Sequence, residues 1–158
     1  MSNEIKQIHA TCIAIGDNGI LLRGPTASGK SDLALRLIDA GATLIADDRV
    51  DLILGSKGVC ASAPAILKGL LEVRNIGILQ FPSKENAFVS LVCELVRPEE
   101  IERMPQYTNT CILGINLPHV LIAPFETSSV TKVQLALGLI TGSIKLAHDK
   151  SCPATPKK

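Results

Sequence analysis

The chain has 158 residues, of which 46% are hydrophobic and 20% are charged, a composition typical of folded globular domains and not of disordered chains. At this length we expect a single domain over residues 1–148, followed by a flexible tail over 149–158. A net charge of +1, with three Phe, one Tyr and no Trp, argues against nucleic-acid partners, which require basic surfaces and aromatic stacking platforms.

The amino-terminal residues contain neither a basic start nor an apolar signal core, and no apolar run reaches the roughly 18 residues of a membrane span. We therefore expect a cytoplasmic protein that has no membrane partner. The five cysteines include no Cys-x-x-Cys pair. They predict reduced, mostly buried thiols and not a zinc or redox site.

Two apolar runs at 12–15 and 19–23 predict an opening hairpin, turned at 17–19 by an Asn-Gly pair. A glycine-bearing loop follows, and apolar residues at helical spacing then predict a helix over 31–40 that ends at Gly41. The next apolar run, 43–46, predicts a buried strand. The order strand, loop, helix, strand is the start of a βαβ-type unit.

The rest of the chain predicts a mixed sheet flanked by helices. The predicted elements are a hairpin of 50–54 and 59–61, strands at 78–81, 88–96, 110–115 and 119–123, a short acidic helix over 98–104, and a closing helix with apolar residues between 130 and 144. The fold class is therefore α/β, with a mixed central sheet and flanking helices.

The most specific motif is a G-x-x-x-x-G-K-[ST] match between a predicted strand and a predicted helix. Its residues are Gly24, Pro25, Thr26, Ala27, Ser28, Gly29, Lys30 and Ser31. In this context the backbone N–H groups can hold a polyphosphate, Lys30 can meet the outer phosphates and Ser31 can reach Mg²⁺. The alternative is a glycine-rich turn with a solvated lysine. The motif favours a P-loop kinase domain that uses ATP and Mg²⁺ as cofactors.

Asp47 and Asp48 end the strand that follows the predicted helix, where an adjacent parallel strand would bring carboxylates beside the phosphates. One could help to hold Mg²⁺ and the other could accept a proton from an attacking hydroxyl. Consecutive residues of a strand face opposite ways, so the two need not share one role. The alternative is that they merely end the strand or cap a turn.

Four stretches follow one another in the chain: His9-Ala10, the loop 24–31, Ala46-Asp47-Asp48, and Leu71-Glu72-Val73-Arg74-Asn75-Ile76-Gly77-Ile78. Together they resemble the catalytic domain of HPr kinase/phosphorylase, a bacterial enzyme that phosphorylates a serine of the phosphocarrier HPr. The resemblance covers about residues 6–148 and suggests a short form without the family's amino-terminal domain.

The resemblance implies a role for each matching residue. Lys30 would contact the transferred phosphate, Ser31 would ligate Mg²⁺ with support from Asp47, and Asp48 would be the general base. Glu72 would be a second carboxylate on the metal side, and Arg74 belongs to the same signature.

The resemblance also places His9 near the phosphates and, less securely, aligns Arg103 with a catalytic arginine. Taken alone, His9 is a surface or core histidine, Arg103 is a solvated charge on a short helix, and Glu72 with Arg74 is a surface ion pair. The resemblance further implies HPr or an HPr-like protein as partner, a homo-oligomer such as a hexamer, and a reverse phosphorylase reaction.

The sequence departs from the family pattern at several places. Ala27 replaces the second glycine of the loop, and Asn75 replaces a glycine after the signature arginine. The segment 80–88 is short, and Pro124-Phe125-Glu126-Thr127 stands where longer members have Pro-Gly-Arg-Asn. Two other functions therefore stay open beside an HPr kinase: a kinase for a small-molecule hydroxyl, and a nucleotide-binding regulatory module without turnover.

Overall fold

The computed structural model describes residues 4–147, so the predicted tail over 149–158 lies outside the described residues. Eleven strands and two α-helices form the described part of the chain. They are β1 (Lys6–His9), β2 (Thr11–Ile15), β3 (Asn18–Arg23), α1 (Lys30–Asp39), β4 (Thr43–Ala46), β5 (Arg49–Gly55), β6 (Gly58–Ser62), β7 (Leu70–Val73), β8 (Gly77–Gln80), β9 (Asn86–Leu95), β10 (Thr108–Ile112), β11 (Ile115–Ile122) and α2 (Ser129–Thr141).

Nine strands form one mixed sheet in the order β1-β5-β6-β9-β3-β2-β4, and β11 joins β9 and pairs with β10. The pairs β3 with β9 and β9 with β11 are parallel, so these three strands end at the same edge. Strands β7 and β8 form a separate antiparallel pair. The predicted α/β fold with a mixed central sheet and flanking helices is confirmed.

Two long segments of chain bend where they exchange partners. β1 and β2 are separated only by Ala10, and β4 and β5 are separated only by Asp47 and Asp48. β2 pairs with β4, whereas β1 pairs with β5. At the bend the Ala10 N–H donates to the Asp48 carbonyl at 3.3 Å, and the Arg49 N–H donates to the Asp47 carbonyl at 2.8 Å. The two aspartates therefore lie at this bend.

Apolar residues are buried in two clusters. The first, the helix-side cluster, packs α1 and α2 against the sheet and includes Leu22, Leu33, Leu91 and Leu137. The other is formed by alternate residues of the same strands together with residues of β5, β6, β10 and β11. Because successive side chains of a strand point to opposite faces, the central strands β2, β3 and β9 supply both clusters.

The first hairpin has the predicted strands, but its turn is not where the Asn-Gly signal predicts. Ile15 pairs with Asn18, so Asn18 and Gly19 belong to β3, and Gly16 and Asp17 form the two-residue turn. Gly16 has φ 62°, a conformation that glycine adopts without a steric penalty.

The later part of the chain also departs from prediction in three places. The short acidic helix predicted over 98–104 is a single 3₁₀ turn at Pro98–Glu100. Runs of 3₁₀ helix longer than three or four residues are uncommon. The run 110–115 is interrupted by a turn at Leu113 and Gly114 between β10 and β11. The closing helix ends at Thr141, followed by Gly142 with φ 89°.

The described cysteines only partly follow the prediction of buried thiols. Cys12 and Cys93 are buried, whereas Cys60 is half-buried and Cys111 is exposed, and all four are free thiols. Burial raises the pKa of the Cys12 thiol to about 12 and raises the pKa of Cys93 as well. Between residues 4 and 147, no helix is long and apolar enough to span a membrane.

The four thiols should therefore differ in reactivity. In the folded protein at pH 8, iodoacetamide should label Cys111 within minutes and should not label Cys12 or Cys93 until the protein is unfolded in urea, because the thiolate is the nucleophile and both buried thiols stay protonated. Peptide mass spectrometry measures the labelling. Equal labelling of Cys93 and Cys111 without urea would contradict the packing of β9.

The central position of β9 predicts a large effect of truncating its side chains. Leu91→Ala should lower the free energy of unfolding by about 3 kcal/mol, because Leu91 is fully buried in the helix-side cluster. Leu54→Ala is the matched control and should cost well under 1 kcal/mol, since Leu54 is 51% exposed. Urea denaturation followed by circular dichroism measures both, and similar losses would contradict this packing.

Candidate functional site

The glycine-rich loop connects β3 to α1 in a tight path. The Ser28 N–H donates to the Pro25 carbonyl at 3.1 Å, and a Cβ atom at Gly24 would lie 2.6 Å from the Ser28 Oγ. Gly29 has φ 101°, a left-handed conformation that glycine adopts without penalty. Ala27 also has a positive φ, 65°, so the residue that replaces the family's second glycine takes a glycine-like conformation.

Lys30 is held by the loop itself. Its ammonium donates to the Gly24 carbonyl at 2.7 Å and to the Pro25 carbonyl at 3.0 Å. Lys30 is also the first residue of α1, whose first N–H groups have no acceptor within the helix. The loop therefore combines one positive charge with free backbone donors, the combination that binds phosphate groups.

Asp47 connects the loop to two strands. Its Oδ1 accepts the Ser31 hydroxyl at 2.7 Å and the Thr11 hydroxyl at 2.9 Å, and its Oδ2 accepts the Glu72 N–H at 3.4 Å. Asp47 is 6% exposed, so these donors replace most of its hydration. Three elements, α1, β2 and β7, are joined through one carboxylate.

Asp48 points the other way. Its φ of 71° lies in the left-handed region that Asp adopts more readily than most side chains. Its side chain is 72% exposed, and Arg49 Nε lies 4.0 Å from its Oδ2. The two neighbouring carboxylates therefore differ. Asp47 is buried and accepts three hydrogen bonds, whereas Asp48 is accessible to solvent.

His9 and Glu72 reach the same region from different strands. His9 is exposed and lies opposite Arg49 in the pairing of β1 with β5, which places it beside the Asp48 backbone. Leu71 is fully buried in the helix-side cluster. It therefore holds β7 in the position where the Glu72 N–H donates to Asp47. The Glu72 side chain is exposed, as is Arg74 just beyond β7.

Arg103 is not brought to the loop by any described contact. It is exposed in the irregular segment 101–107, and within residues 4–147 its side chain makes no hydrogen bond or ion pair. The helix predicted over 98–104 ends at Glu100, before Arg103. In the same part of the chain, no three His, Cys, Asp or Glu side chains form a ready-made metal cluster.

The strand that precedes the aspartates, β4, is not adjacent to β3, the strand before the loop. β2 lies between β3 and β4 and is antiparallel to both, so β3 and β4 are parallel but are not neighbours. The prediction of an adjacent parallel strand was wrong. The side chain of Ser31 spans the gap by its hydrogen bond to Asp47.

Comparison with known proteins matches the chain to one family. The family model described as the HPr Serine kinase C-terminal domain matches residues 2–134. The chain belongs to the HPr serine kinase family. The HPr kinase/phosphorylases of Burkholderia lata and Burkholderia cenocepacia are each 36% identical to it over 126 residues, which cover 73% of this chain and 39% of theirs.

A solved structure shares the fold. The structure of the Hpr(Ser) kinase/phosphatase from Coxiella burnetii matches with a TM-score of 0.73 and 29% sequence identity, over 87% of this chain and 96% of that chain. The chain nevertheless spans only about two fifths of the length of the curated HPr kinase/phosphorylases that it matches.

Two residues of the site have no strong signal in the sequence. Thr11 is fully buried and donates to Asp47, yet a single threonine in a strand is ordinary. Phe125 lies against the loop, since a Cβ atom at Gly29 would be 2.7 Å from its Cζ. The sequence marks Phe125 only as a departure from the glycine of longer HPr kinases.

Removing the Asp47 carboxylate should weaken the fold as well as the site. Asp47→Ala leaves the hydroxyl of the fully buried Thr11 without its acceptor, so the free energy of unfolding should fall by about 2 kcal/mol. Asp48→Asn is the control and should cost less than about 0.5 kcal/mol, because its side chain is exposed and Asn tolerates a positive φ. Urea denaturation measures both, and equal losses would contradict the role of Asp47 as the buried acceptor.

Proposed function

We propose that the chain is an ATP-dependent protein-serine kinase that phosphorylates HPr or an HPr-like phosphocarrier in the cytoplasm. The observation that carries the proposal is the division of the two aspartates: Asp47 is buried against Ser31 of the loop, and Asp48 is open to solvent beside it. A phosphotransferase needs both a site that holds the phosphates and a base that an acceptor hydroxyl can reach.

Each residue would contribute by position. The loop N–H groups and Lys30 would bind the β- and γ-phosphates, and Asp48 would accept the proton of the acceptor serine as its oxygen bonds to the γ-phosphorus. The bond from that phosphorus to the bridging oxygen breaks, and ADP leaves. Because phosphoryl transfer requires little covalent chemistry from the protein, positioning and electrostatics supply most of the catalysis.

The donor set beside the loop fits Mg²⁺. The ion prefers oxygen ligands, keeps several waters and needs only one or two protein ligands besides the phosphates. The Ser31 hydroxyl and the Asp47 carboxylate, whose oxygens are 2.7 Å apart, would hold it, and Glu72 would contribute from the side of β7. When bound, Mg²⁺ would neutralise charge on the phosphates.

Exposure of the base favours a protein acceptor over a metabolite. Small-molecule sites bury most of their ligand, whereas the Asp48 side chain is 72% exposed. Beside Glu72, the β7–β8 pair presents two exposed isoleucines, Ile76 and Ile78. Exposed apolar side chains near an active site are typical of surfaces that contact another protein.

The proposal predicts a direct transfer. With γ-labelled ATP, Mg²⁺ and purified HPr, the wild-type chain should label HPr on serine, and Asp48→Asn should lower the rate at least 100-fold, which is the lower range for loss of a general base. Phosphorimaging of HPr measures transfer, and calorimetry should show that Asp48→Asn still binds ATP.

Lys30→Ala separates binding from transfer, because it should weaken ATP binding itself. Label in a metabolite from a cell extract, with none in HPr, would indicate a small-molecule kinase instead. ATP binding with no transfer to either acceptor, and no functional change in Asp48→Asn, would indicate a regulatory module without turnover. Adding phosphate to phosphorylated HPr in the same assay tests the reverse reaction.

A further inference from the structure

Thr11, the first residue of β2, is a buried hydroxyl in an otherwise apolar strand. Among residues 4–147 only three polar or charged residues are buried: Thr11, Asp47 and Ser129. The Ser129 hydroxyl serves the chain locally, since it donates to the Ala123 carbonyl at 2.6 Å. The Thr11 hydroxyl instead donates to Asp47, 36 residues away in the sequence. Because a buried hydroxyl carries a desolvation cost that an apolar side chain of similar shape does not, packing alone does not favour threonine here.

Two hydroxyls meet at one oxygen of Asp47. Its Oδ1 accepts the Ser31 hydroxyl at 2.7 Å and the Thr11 hydroxyl at 2.9 Å. Its Oδ2 accepts a longer hydrogen bond, from the Glu72 N–H at 3.4 Å. The terminal torsion of an Asp side chain has broad energy wells. The donors, and not the torsion itself, therefore decide how the carboxylate is turned, and the two hydroxyls are the closest of them.

The two hydroxyls differ in what else they can bind. Ser31 is half-buried at the start of α1, so its lone pairs can face a metal ion while its proton stays on Asp47. Thr11 is fully buried, so its hydroxyl is not available to a ligand that enters from solvent. Thr11 is also β-branched, with a stiff χ1, and β2 is paired on both sides, with β3 and β4. Its hydroxyl is therefore a fixed donor for the carboxylate.

We propose that Thr11 is a positioning residue for Mg²⁺: its hydroxyl holds the Asp47 carboxylate in the orientation in which it and the Ser31 hydroxyl bind the ion together. The inference rests on the proposed function, because that function requires the ion. Mg²⁺ demands nearly ideal octahedral geometry, so a carboxylate that is free to turn binds it less tightly. Loss of an outer partner of a metal ligand typically lowers metal affinity about 10–100-fold. Thr11 would act through Asp47 alone, without contact with the ion.

The test compares Thr11→Val, which removes the hydroxyl at nearly constant shape, with Thr11→Ser, which keeps it. The probe is adenylyl imidodiphosphate, an ATP analogue that cannot transfer its phosphate, and calorimetry measures its binding with Mg²⁺ and in EDTA. The wild type should bind the Mg²⁺ complex more tightly than the free analogue. Thr11→Val should weaken binding of the Mg²⁺ complex about tenfold and leave binding in EDTA unchanged. Thr11→Ser should keep both wild-type affinities.

A stability control separates positioning from a general loosening of the fold. Leu91→Ala removes packing in the helix-side cluster without removing a hydrogen bond of Asp47, so it should bind the Mg²⁺ complex as the wild type does. Thr11→Cys, whose thiol is a weak donor, should fall between Thr11→Ser and Thr11→Val. Should Thr11→Val fail to fold, Thr11→Cys carries the comparison.

The inference would be overturned if Thr11→Val kept the wild-type affinity for the Mg²⁺ complex, or if Thr11→Ser or Leu91→Ala lost as much as Thr11→Val. An equal loss in EDTA would also overturn it, because the hydroxyl would then act on the loop and not on the ion. Labelling of HPr by the wild type would leave the proposed function intact in each of these cases. Failure of the wild type to bind the Mg²⁺ complex would overturn the proposed function together with this inference.

Discussion

The arrangement of the site depends on one buried carboxylate. Taking an ionised Asp out of water is costly unless hydrogen bonds replace its hydration, and Asp47 receives them from Thr11, Ser31 and the Glu72 backbone. These donors belong to β2, α1 and β7, which are distant in sequence. Satisfying the charge therefore fixes the start of α1 relative to the sheet and attaches the small β7–β8 pair beside the loop. The same requirement places the Ser31 hydroxyl beside the Asp47 carboxylate, the pair proposed to hold Mg²⁺.

The bend between β4 and β5 explains how two neighbouring aspartates acquire different environments. In a regular strand their side chains would simply alternate between two faces. Here the chain changes partner from β2 to β1 at this point, and Asp48 takes a positive φ. Asp47 stays among the buried donors, and Asp48 is directed to solvent. Leaving the regular strand thus provides an accessible carboxylate next to a buried one.

Local patterns predict much of this fold, and the errors occur where distant contacts decide. The helix α1, the strand before Asp47 and the hairpin of β5 with β6 follow from periodicity and glycines, because each forms from neighbouring residues. Insertion of β2 between β3 and β4 could not be predicted, since strand order depends on pairing between distant segments. The role of Arg103 was assigned by the resemblance and stays a prediction, and the helix predicted around it is a single 3₁₀ turn that ends before it. The loop and the aspartates could be located from their motif, but no pattern distinguishes Thr11, because its importance arises from its contact with Asp47.

The loop is constrained from both sides, and this limits how the sequence can vary. On one side, Ser31 is tied to Asp47. On the other, the Phe125 ring occupies the space that any side chain at Gly29 would need. Gly29 is thus required both by its φ of 101° and by the ring, whereas Ala27 adopts a positive φ at a cost of order 1 kcal/mol. An aromatic residue at 125 therefore does more than fill a position where longer family members have glycine: its ring packs against the loop beside Lys30.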